Sequence, residues 1–186
     1  MHARSFAIRA LALAALPALA ACGGDGGTGA PPLTPSDVGG EYRLCSLTFT
    51  PDGGSPPPLD IRGAVMDTSA ANAPVLRVGK TVASFELEYL KKNDVLRPRF
   101  EGSYSTRSDA ISLSFSGSDV TQTLLLPQKL TLTYHGGPRR FDIVGYSFYS
   151  VSRTDFERVS GKSYPNARDQ ISGTLTGSFS EGTCAP

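Results

Sequence analysis

Three cysteines are the side chains with the widest chemistry in this 186-residue sequence. A cysteine thiolate can be alkylated, bind a metal or enter a disulfide, and its surroundings decide among these outcomes. Cys22 follows the small residues Ala20 and Ala21, whereas Cys45 and Cys184 stand near opposite ends of the remaining chain. We therefore expect one role for Cys22 and a second, shared role for the other two.

The segment before Cys22 has the pattern of a secretory signal. Arg4 and Arg9 carry its positive charge, and the run ALALAALPALAA over residues 10–21 is uncharged. About 12 apolar residues match the hydrophobic region of a signal peptide and fall short of the ~20 needed to span a bilayer. Residues 1–21 are therefore predicted to be a signal peptide that is removed.

The residues Leu19-Ala20-Ala21-Cys22 resemble the lipobox of bacterial lipoproteins. The resemblance implies that the Cys22 thiol receives a diacylglycerol, that palmitate or a similar chain anchors the protein in a membrane, and that Cys22 becomes the mature amino terminus. Gly23 after this cysteine implies sorting to the cell outer membrane if the host is Gram-negative. An ordinary cleavage site beside a chance cysteine is the alternative.

The residues after Cys22 are rich in glycine and proline and almost devoid of large apolar side chains. Such a segment cannot bury enough surface to offset the entropy lost on ordering. We therefore predict a lipidated cysteine and flexible tether over 22–38, followed by a single folded domain over 39–186.

Cys45 and Cys184 are expected to form a disulfide, because an exported chain reaches an oxidising compartment. The bond would close a loop of about 139 residues and stabilise the fold by somewhat more than ~4 kcal/mol in the chain-entropy model. It would also require the first and last strands to lie side by side. The alternative is a pair of reduced thiols that are too far apart to meet.

The other reactive side chains do not form a known catalytic motif. After the signal peptide the one histidine is His135, in the turn sequence Tyr134-His135-Gly136-Gly137-Pro138. The sequence lacks the motifs Gly-x-Ser-x-Gly, His-Glu-x-x-His and Cys-x-x-Cys, and it has no phosphate-binding glycine loop. We therefore predict no enzyme, no catalytic residue, no metal and no cofactor.

One short segment, Val65-Met66-Asp67-Thr68-Ser69-Ala70, resembles the catalytic turn of retroviral-type aspartic proteases. In that family two aspartates share a proton, so the resemblance implies that Asp67 would need a second copy of the chain. Ser69 stands where the family has glycine, and Asp-Thr-Ser is also an ordinary turn sequence. A strand end is the favoured interpretation, and an aspartic protease is a remote alternative.

Net charge and composition exclude two further classes of protein. The formal net charge is +1 and falls close to zero without the two signal-peptide arginines, so no surface for nucleic acid is expected. Charged residues make up 19% of the chain, too few for a solvated disordered protein. Solvent exposure is expected for the charged residues Glu86, Glu88, Lys91, Lys92, Arg139 and Arg140.

Alternation of apolar and polar residues predicts strands through most of the domain. Within 111–115 apolar residues alternate with serine, and within 130–134 they alternate with threonine. This is the pattern of half-buried antiparallel strands. Helical spacing is not expected after the signal peptide, and 50–58 and 154–169 are predicted to be irregular. The predicted strands lie near 41–49, 59–66, 74–79, 82–91, 95–105, 110–116, 120–126, 129–135, 140–150 and 171–179.

Short turns between these segments predict an all-β, antiparallel, up-and-down meander of 8–10 strands. A closed barrel is favoured because closure removes the exposed edges of the sheet. A β-sandwich is the alternative architecture.

The strand Gly40-Glu41-Tyr42-Arg43-Leu44, with the Pro-rich loop and paired strands that follow, resembles bacterial lipoproteins with lipocalin-like barrels. The resemblance covers about residues 39–150 and implies that Tyr42 takes the place of the tryptophan at the barrel floor. A barrel of this size either fills its interior or holds one small ligand. The candidate interior and ligand-binding residues are Phe85, Leu87, Tyr89, Phe100, Tyr104, Ile111, Leu113, Phe115, Leu130, Leu132 and Tyr134.

Two classes of function follow. The first is a monomeric, membrane-anchored envelope lipoprotein without enzymatic activity, which binds a small apolar ligand or lipid or has a structural role. The second is a cell-surface β-sandwich module that binds protein or glycan through its loops. A closed barrel with an apolar pocket of several hundred Å³ would favour the first class, and two sheets with a dry core would favour the second.

Overall fold

The computed structural model describes residues 31–184, apart from the side chains of residues 144, 145 and 147. In chain order its elements are α1 (Pro35–Val38), β1 (Gly40–Pro51), a 3-10 turn (Asp52–Gly54), β2 (Leu59–Asp60), α2 (Ile61–Val65), β3 (Val75–Val78), β4 (Ser84–Glu88), β5 (Arg99–Thr106), β6 (Ala110–Phe115), α3 (Asp119–Leu124), β7 (Lys129–Gly136), β8 (Arg139–Ser152), α4 (Arg153–Ser160) and β9 (Gln170–Ser180).

The nine strands form one antiparallel sheet in the order β2-β1-β3-β4-β5-β6-β7-β8-β9, and β1 also pairs with β9. Eight strands therefore close into an up-and-down barrel, with the short β2 added beside β1. The predicted all-β barrel is confirmed, and the sandwich alternative is wrong. The closing strands come from the two ends of the domain.

Alternation of side chains builds the barrel wall. In β6, Ile111, Leu113 and Phe115 are buried while the serines between them are half-buried. Successive side chains of a strand point to opposite faces of the sheet, so one face of each strand supplies the interior and the other faces solvent. The inward residues form one hydrophobic core along the barrel.

A β-bulge in β1 changes which residues face inward. Tyr42 and Leu44 are buried before the bulge, and Leu47 and Phe49 are buried after it. The pairing to β9 passes from Leu44–Phe179 to Ser46–Ser178, which leaves Cys45 as the extra residue. Cys45 is bonded to Cys184, with the two Cα atoms 5.2 Å apart. The predicted disulfide and the predicted contact between first and last strands are both confirmed.

The two ends of the barrel are built differently. At one end, which we call the α1 end, α1 lies beside the turns 79–83, 107–109 and 137–138. At the other, which we call the three-helix end, the long connections carry α2, α3 and α4, which contact one another through α4. No helix in residues 31–184 has the length and apolar character needed to cross a membrane.

Three helical segments differ from the predicted elements, and two of them replace predicted strands. Residues 59–66 form α2 after only two strand residues, because the Asp60 carboxylate accepts a hydrogen bond from the Gly63 amide at 3.0 Å and begins a helix. Residues 120–126 lie mostly in α3, where Val120 and Leu124 are one turn apart and both buried. The expectation that helical spacing ends with the signal peptide is therefore wrong.

The third helix, α4, lies in a segment predicted to be irregular. Its N-cap Ser152 accepts a hydrogen bond from the Asp155 amide at 3.1 Å and donates one to the Asp155 carboxylate at 2.6 Å. Phe156 and Val159, three residues apart, are buried against the barrel. A capped helix therefore closes this end of the barrel.

The folded part begins before residue 39. The Leu33 amide donates to the Arg107 carbonyl at 3.0 Å, and Val38 is fully buried. The last residues of the predicted tether thus pack on the α1 end. Cys22 and the predicted signal peptide lie outside the described residues.

Candidate functional site

The eleven residues predicted to face the barrel interior lie together in the structure. Ten are buried and Tyr134 is half-buried. The Phe85 and Phe115 rings lie 4.9 Å apart in an edge-to-face contact, and the Tyr89 and Phe100 rings stack at 6.4 Å. Because these rings contact one another inside the wall, they form a packed core.

Gly102 contributes to this packing rather than to an opening. It pairs with Phe85 on β4 and with Phe115 on β6. A Cβ at Gly102 would lie 2.0 Å from the Ser114 carbonyl oxygen and 2.8 Å from the Phe85 ring. The Phe85 ring therefore occupies the space that a side chain at Gly102 would need.

Tyr42 lies at the α1 end of the core. Its ring is fully buried, 4.6 Å from the Phe141 ring, and its hydroxyl donates to the Val38 carbonyl at 2.7 Å. Burial raises the pKa of the Tyr42 hydroxyl well above its usual value. Tyr42 thus ties α1 to the barrel wall.

Arg139 covers the outer side of Tyr42, with its guanidinium carbon 5.7 Å from the ring centroid. The guanidinium donates to the Asp37 carbonyl at 2.7 Å, to the Gly39 carbonyl at 2.9 Å and to the Tyr134 hydroxyl at 3.2 Å. It also pairs with Glu181 at 2.6 Å. The prediction that Arg139 is a solvated turn residue is therefore wrong, because this side chain joins four segments.

Two hollows on the surface of the three-helix end are the candidate binding sites. The first, which we call the apolar groove, has a volume of about 290 Å³ and lies between α2, the 89–98 connection, α3 and α4. The residues that line it are Val65, Tyr89, Lys91, Leu96, Pro98, Gln122, Thr123, Arg158 and Val159. Its walls are mainly aliphatic and aromatic, and its cations are Lys91 and Arg158.

The 89–98 connection is fixed against α2 by hydrogen bonds. The Lys92 amide donates to the Val65 carbonyl at 2.9 Å, and the Lys92 ammonium donates to the Gly63 carbonyl at 2.7 Å. The Asp67 amide donates to the Leu90 carbonyl at 2.8 Å. The groove wall is therefore held in place without a ligand. Leu96 nevertheless remains 58% exposed.

The second hollow, which we call the polar cleft, has a volume of about 490 Å³ and lies between residues 52–56 and 166–172. Six exposed polar side chains line it: Asp52, Ser55, Asn166, Arg168, Gln170 and Ser172. A smaller hollow of about 270 Å³ adjoins it and adds Tyr164 and Pro165 to the lining. Residues 52–56 and 166–169 lie in segments predicted to be irregular, whereas 171–172 begin the predicted last strand, and the polar lining residues are not among the predicted site residues.

Asp67 lies in the connection between α2 and β3. Its carboxylate accepts hydrogen bonds from the Ser69 amide at 2.8 Å and the Asn72 side chain at 3.0 Å. The hydrogen bonds from Ser69 lower the pKa of this carboxyl below its usual value. The turn formed by Asp67, Ser69 and Asn72 accounts for these contacts of the Asp67 carboxylate.

His135 lies on the exposed face of β7. Its Nε2 lies 3.1 Å from the Asp142 carboxylate, which also accepts from Arg140 at 2.8 Å. These side chains form a cross-strand cluster on the outer wall. Among residues 31–184 there is no group of three or more His, Cys, Asp or Glu side chains placed to hold a metal ion.

Glu86 and Glu88 lie on the outer face of β4, as expected, but in a network of ion pairs. Glu86 is 2.8 Å from Arg77 and 3.3 Å from Arg99, and Glu88 is 3.2 Å from Arg99. Partly exposed pairs of this kind contribute little stability one by one. On the outer wall, the network joins these two carboxylates of β4 to Arg77 on β3 and Arg99 on β5.

The groove and the cleft combine residues from segments that are distant in sequence, so neither could be found from spacing alone. The one local sequence signal of the groove was the lysine pair Lys91-Lys92 followed by Leu96, a leucine that is exposed in the structure. No protein-family model matches the chain, and no curated protein or solved structure gives a significant match.

Proposed function

We propose that this protein is a monomeric, lipid-anchored envelope lipoprotein without enzymatic activity, and that it binds a small apolar ligand with an acidic group. The ligand occupies the apolar groove rather than the barrel interior. Cys22 carries the anchor, which lies in the outer membrane if the host is Gram-negative. The observation that carries the proposal is an apolar groove with two cations at the end of the barrel opposite α1.

Packing of the core supports the external site. Interior residues such as Phe85 and Phe115 already contact each other, so a ligand there would have to displace buried side chains. Forcing additional groups into a well-packed core costs typically about 1–3 kcal/mol or more. In the groove, by contrast, Leu96 is largely exposed and would be covered by a ligand.

Charge favours an acidic ligand group. Lys91 lies 3.6 Å from Asp94, and Arg158 pairs with Asp155 at 2.5 Å. Both cationic side chains are about half exposed, at 52%. Lys91 and Arg158 are the charged residues that line the groove and both are cationic, which suits a carboxylate at the end of an acyl chain. We take a single-chain fatty acid as the ligand class.

The position of the groove fits an anchored protein. The amino-terminal segment is fixed at the α1 end through Leu33 and Val38. A membrane anchor on the preceding residues would therefore join the barrel at the end opposite the groove. A ligand could reach the groove from the aqueous side.

Dodecanoate binding to the protein lacking residues 1–22 tests the proposal, since the whole core lies within residues 38–179. Calorimetry should detect binding, and Leu96→Ser should weaken it about tenfold, equal to ~1.4 kcal/mol. Val82→Ser is the matched control, because Val82 is 66% exposed in a turn at the α1 end. Lack of dodecanoate binding, or equal effects of the two variants, would contradict the proposal.

The acidic group is tested separately. Lys91→Gln and Arg158→Gln should each weaken dodecanoate binding and leave binding of the uncharged dodecanol unchanged. If both ligands lose affinity equally, the cations do not recognise the carboxylate. The monomeric state is tested by light scattering during gel filtration, where a mass of two chains would contradict it.

A further inference from the structure

The polar cleft lies where β1 ends and β9 begins. Pro51 pairs with Gly173, so the residues before Gly173 run beside the turn that follows Pro51. A Cβ at Gly173 would lie 2.4 Å from the Thr50 carbonyl oxygen and 2.8 Å from the Phe49 ring. Glycine thus permits the close approach of the two strands beside the cleft.

The cleft presents several kinds of hydrogen-bonding group to one space. Asp52 accepts hydrogen bonds, Arg168 donates them, and Asn166 and Gln170 do both. A sugar hydroxyl also donates and accepts, and neighbouring hydroxyls of a pyranose match the paired polar atoms of amide, carboxylate and guanidinium groups. This mixture suits a ligand with many hydroxyl groups.

The charge of the cleft is balanced. Asp52 and Arg168 are its charged lining residues and are of opposite sign. An anion such as phosphate would meet one guanidinium and one carboxylate, so it gains no net attraction. The affinity for an uncharged polar ligand is not reduced by this balance of charge.

The wall formed by residues 164–169 is held by α4. Arg153 donates to the carbonyls of Pro165 at 3.2 Å and Ala167 at 3.1 Å, and pairs with Asp169 at 3.1 Å. The Glu157 carboxylate accepts from the Tyr164 amide at 2.5 Å. A wall fixed in this way loses less conformational entropy when a ligand binds.

The adjoining hollow adds an apolar surface. Tyr164 is half-buried and its ring packs edge-to-face on Phe156 at 5.4 Å. Ser55, Pro56, Asn166 and Ala167 line both hollows, so the two are continuous. A tyrosine ring combines an apolar face with a polar tip, and the face of a pyranose that carries C–H groups stacks on such rings.

We infer that the polar cleft and its adjoining hollow bind an oligosaccharide, with successive sugar units in the two hollows. Hydrogen bonds accepted by Asp52, donated by Arg168 and exchanged with Asn166 and Gln170 hold one unit, and Tyr164 supports the next. This site is separate from the apolar groove and does not depend on the anchor.

Chemical-shift mapping by NMR tests the inference on the protein lacking residues 1–22. The probes are chitotetraose, cellotetraose and maltotetraose, each titrated to about 10 mM, which covers a Kd near 1 mM. At least one should shift the resonances of residues 52–56 and 164–172. The double variant N166A/R168A should weaken that interaction about tenfold or more.

Arg107→Ala is the matched control, because Arg107 is an exposed arginine in a turn at the α1 end. It should leave oligosaccharide binding unchanged, and so should Leu96→Ser, which separates this site from the groove. The inference is overturned if none of the three sugars shifts these residues or if Arg107→Ala weakens binding as much as N166A/R168A. A larger response of Arg168 to inorganic phosphate than to any sugar would also overturn it.

Discussion

Arg139 on β8 stacks over Tyr42 on β1, with 5.7 Å between the guanidinium carbon and the ring centroid. The two residues belong to strands that are not neighbours in the sheet. Their contact therefore bridges β9, the strand that lies between them, at the α1 end of the barrel. A cation over an aromatic face adds about 0.5–2 kcal/mol, more when both groups are withdrawn from water.

Arg139→Ala is expected to destabilise the protein by about 2–4 kcal/mol, because four hydrogen-bond acceptors and the Tyr42 ring lose their partner. Urea unfolding measures the change. Arg140→Ala is the control, since Arg140 pairs with Asp142 on the exposed wall and should change the free energy of unfolding by less than about 1 kcal/mol. Equal effects would mean that Arg139 does not join the segments as described.

Gly102→Ala is expected to destabilise the protein by about 1–3 kcal/mol or more through overpacking. The added Cβ would meet the Ser114 carbonyl oxygen, and backbone cannot move as a flexible side chain does. Gly136→Ala is the matched control, because a Cβ there meets no atom within 4 Å. A neutral Gly102→Ala in thermal unfolding would show that the core has room beside Phe85.

Alkaline pH should destabilise the fold through Tyr89. Burial raises the pKa of Tyr89 to about 12, whereas tyrosines of the unfolded chain ionise near 10. The folded protein holds the phenolic proton to higher pH, so the stability from this group is complete below about pH 10 and is lost as the pH rises through 12.

Urea unfolding between pH 9 and 12 checks this expectation. Tyr89→Phe should reduce the fall in the free energy of unfolding above pH 10 by up to ~1.4 kcal/mol per pH unit, the value for one proton. An identical pH dependence in the variant and the wild type would show that the Tyr89 hydroxyl ionises as freely in the folded protein as in the unfolded chain.

Cys22→Ala should abolish lipid attachment, because its thiol is the proposed site of alkylation. Metabolic labelling with an alkyne analogue of palmitate, followed by separation of membranes, measures both label and location. The wild-type protein should carry label in the membrane fraction. The double variant Cys45→Ala with Cys184→Ala should still be labelled; loss of label there, or retained label in Cys22→Ala, would contradict the assignment.

Period-two alternation predicted the strands and most of the interior, because inward residues such as Leu113 and Phe115 are spaced by the geometry of the strand itself. It failed where apolar residues packed a helix against the end of the barrel. Val120 and Leu124 fit a helix, but the threonines between them favour a strand. The Ser152 and Asp155 pair was a capping signal for α4 that alternation does not register.

The surface hollows depended on closure of the barrel. Lys91 and Arg158 are distant in sequence, and they line one groove only because α4 returns to the end where the 89–98 connection turns. Likewise, Asp52 meets Arg168 across the cleft because β1 pairs with β9. Residue spacing along a chain carries no information on such long-range contacts. The two cysteines were different, because the predicted disulfide between them placed the first and last strands side by side.

The Cys45–Cys184 bond makes the chain between these residues a covalent ring. Every loop at the three-helix end and every hairpin turn lies within this ring, while α1 and the amino-terminal segment lie outside it. A protease that nicks any loop within the ring leaves both fragments attached to each other. Only a cut on the amino-terminal side of Cys45 would release the barrel from the amino-terminal segment and from anything attached to that segment.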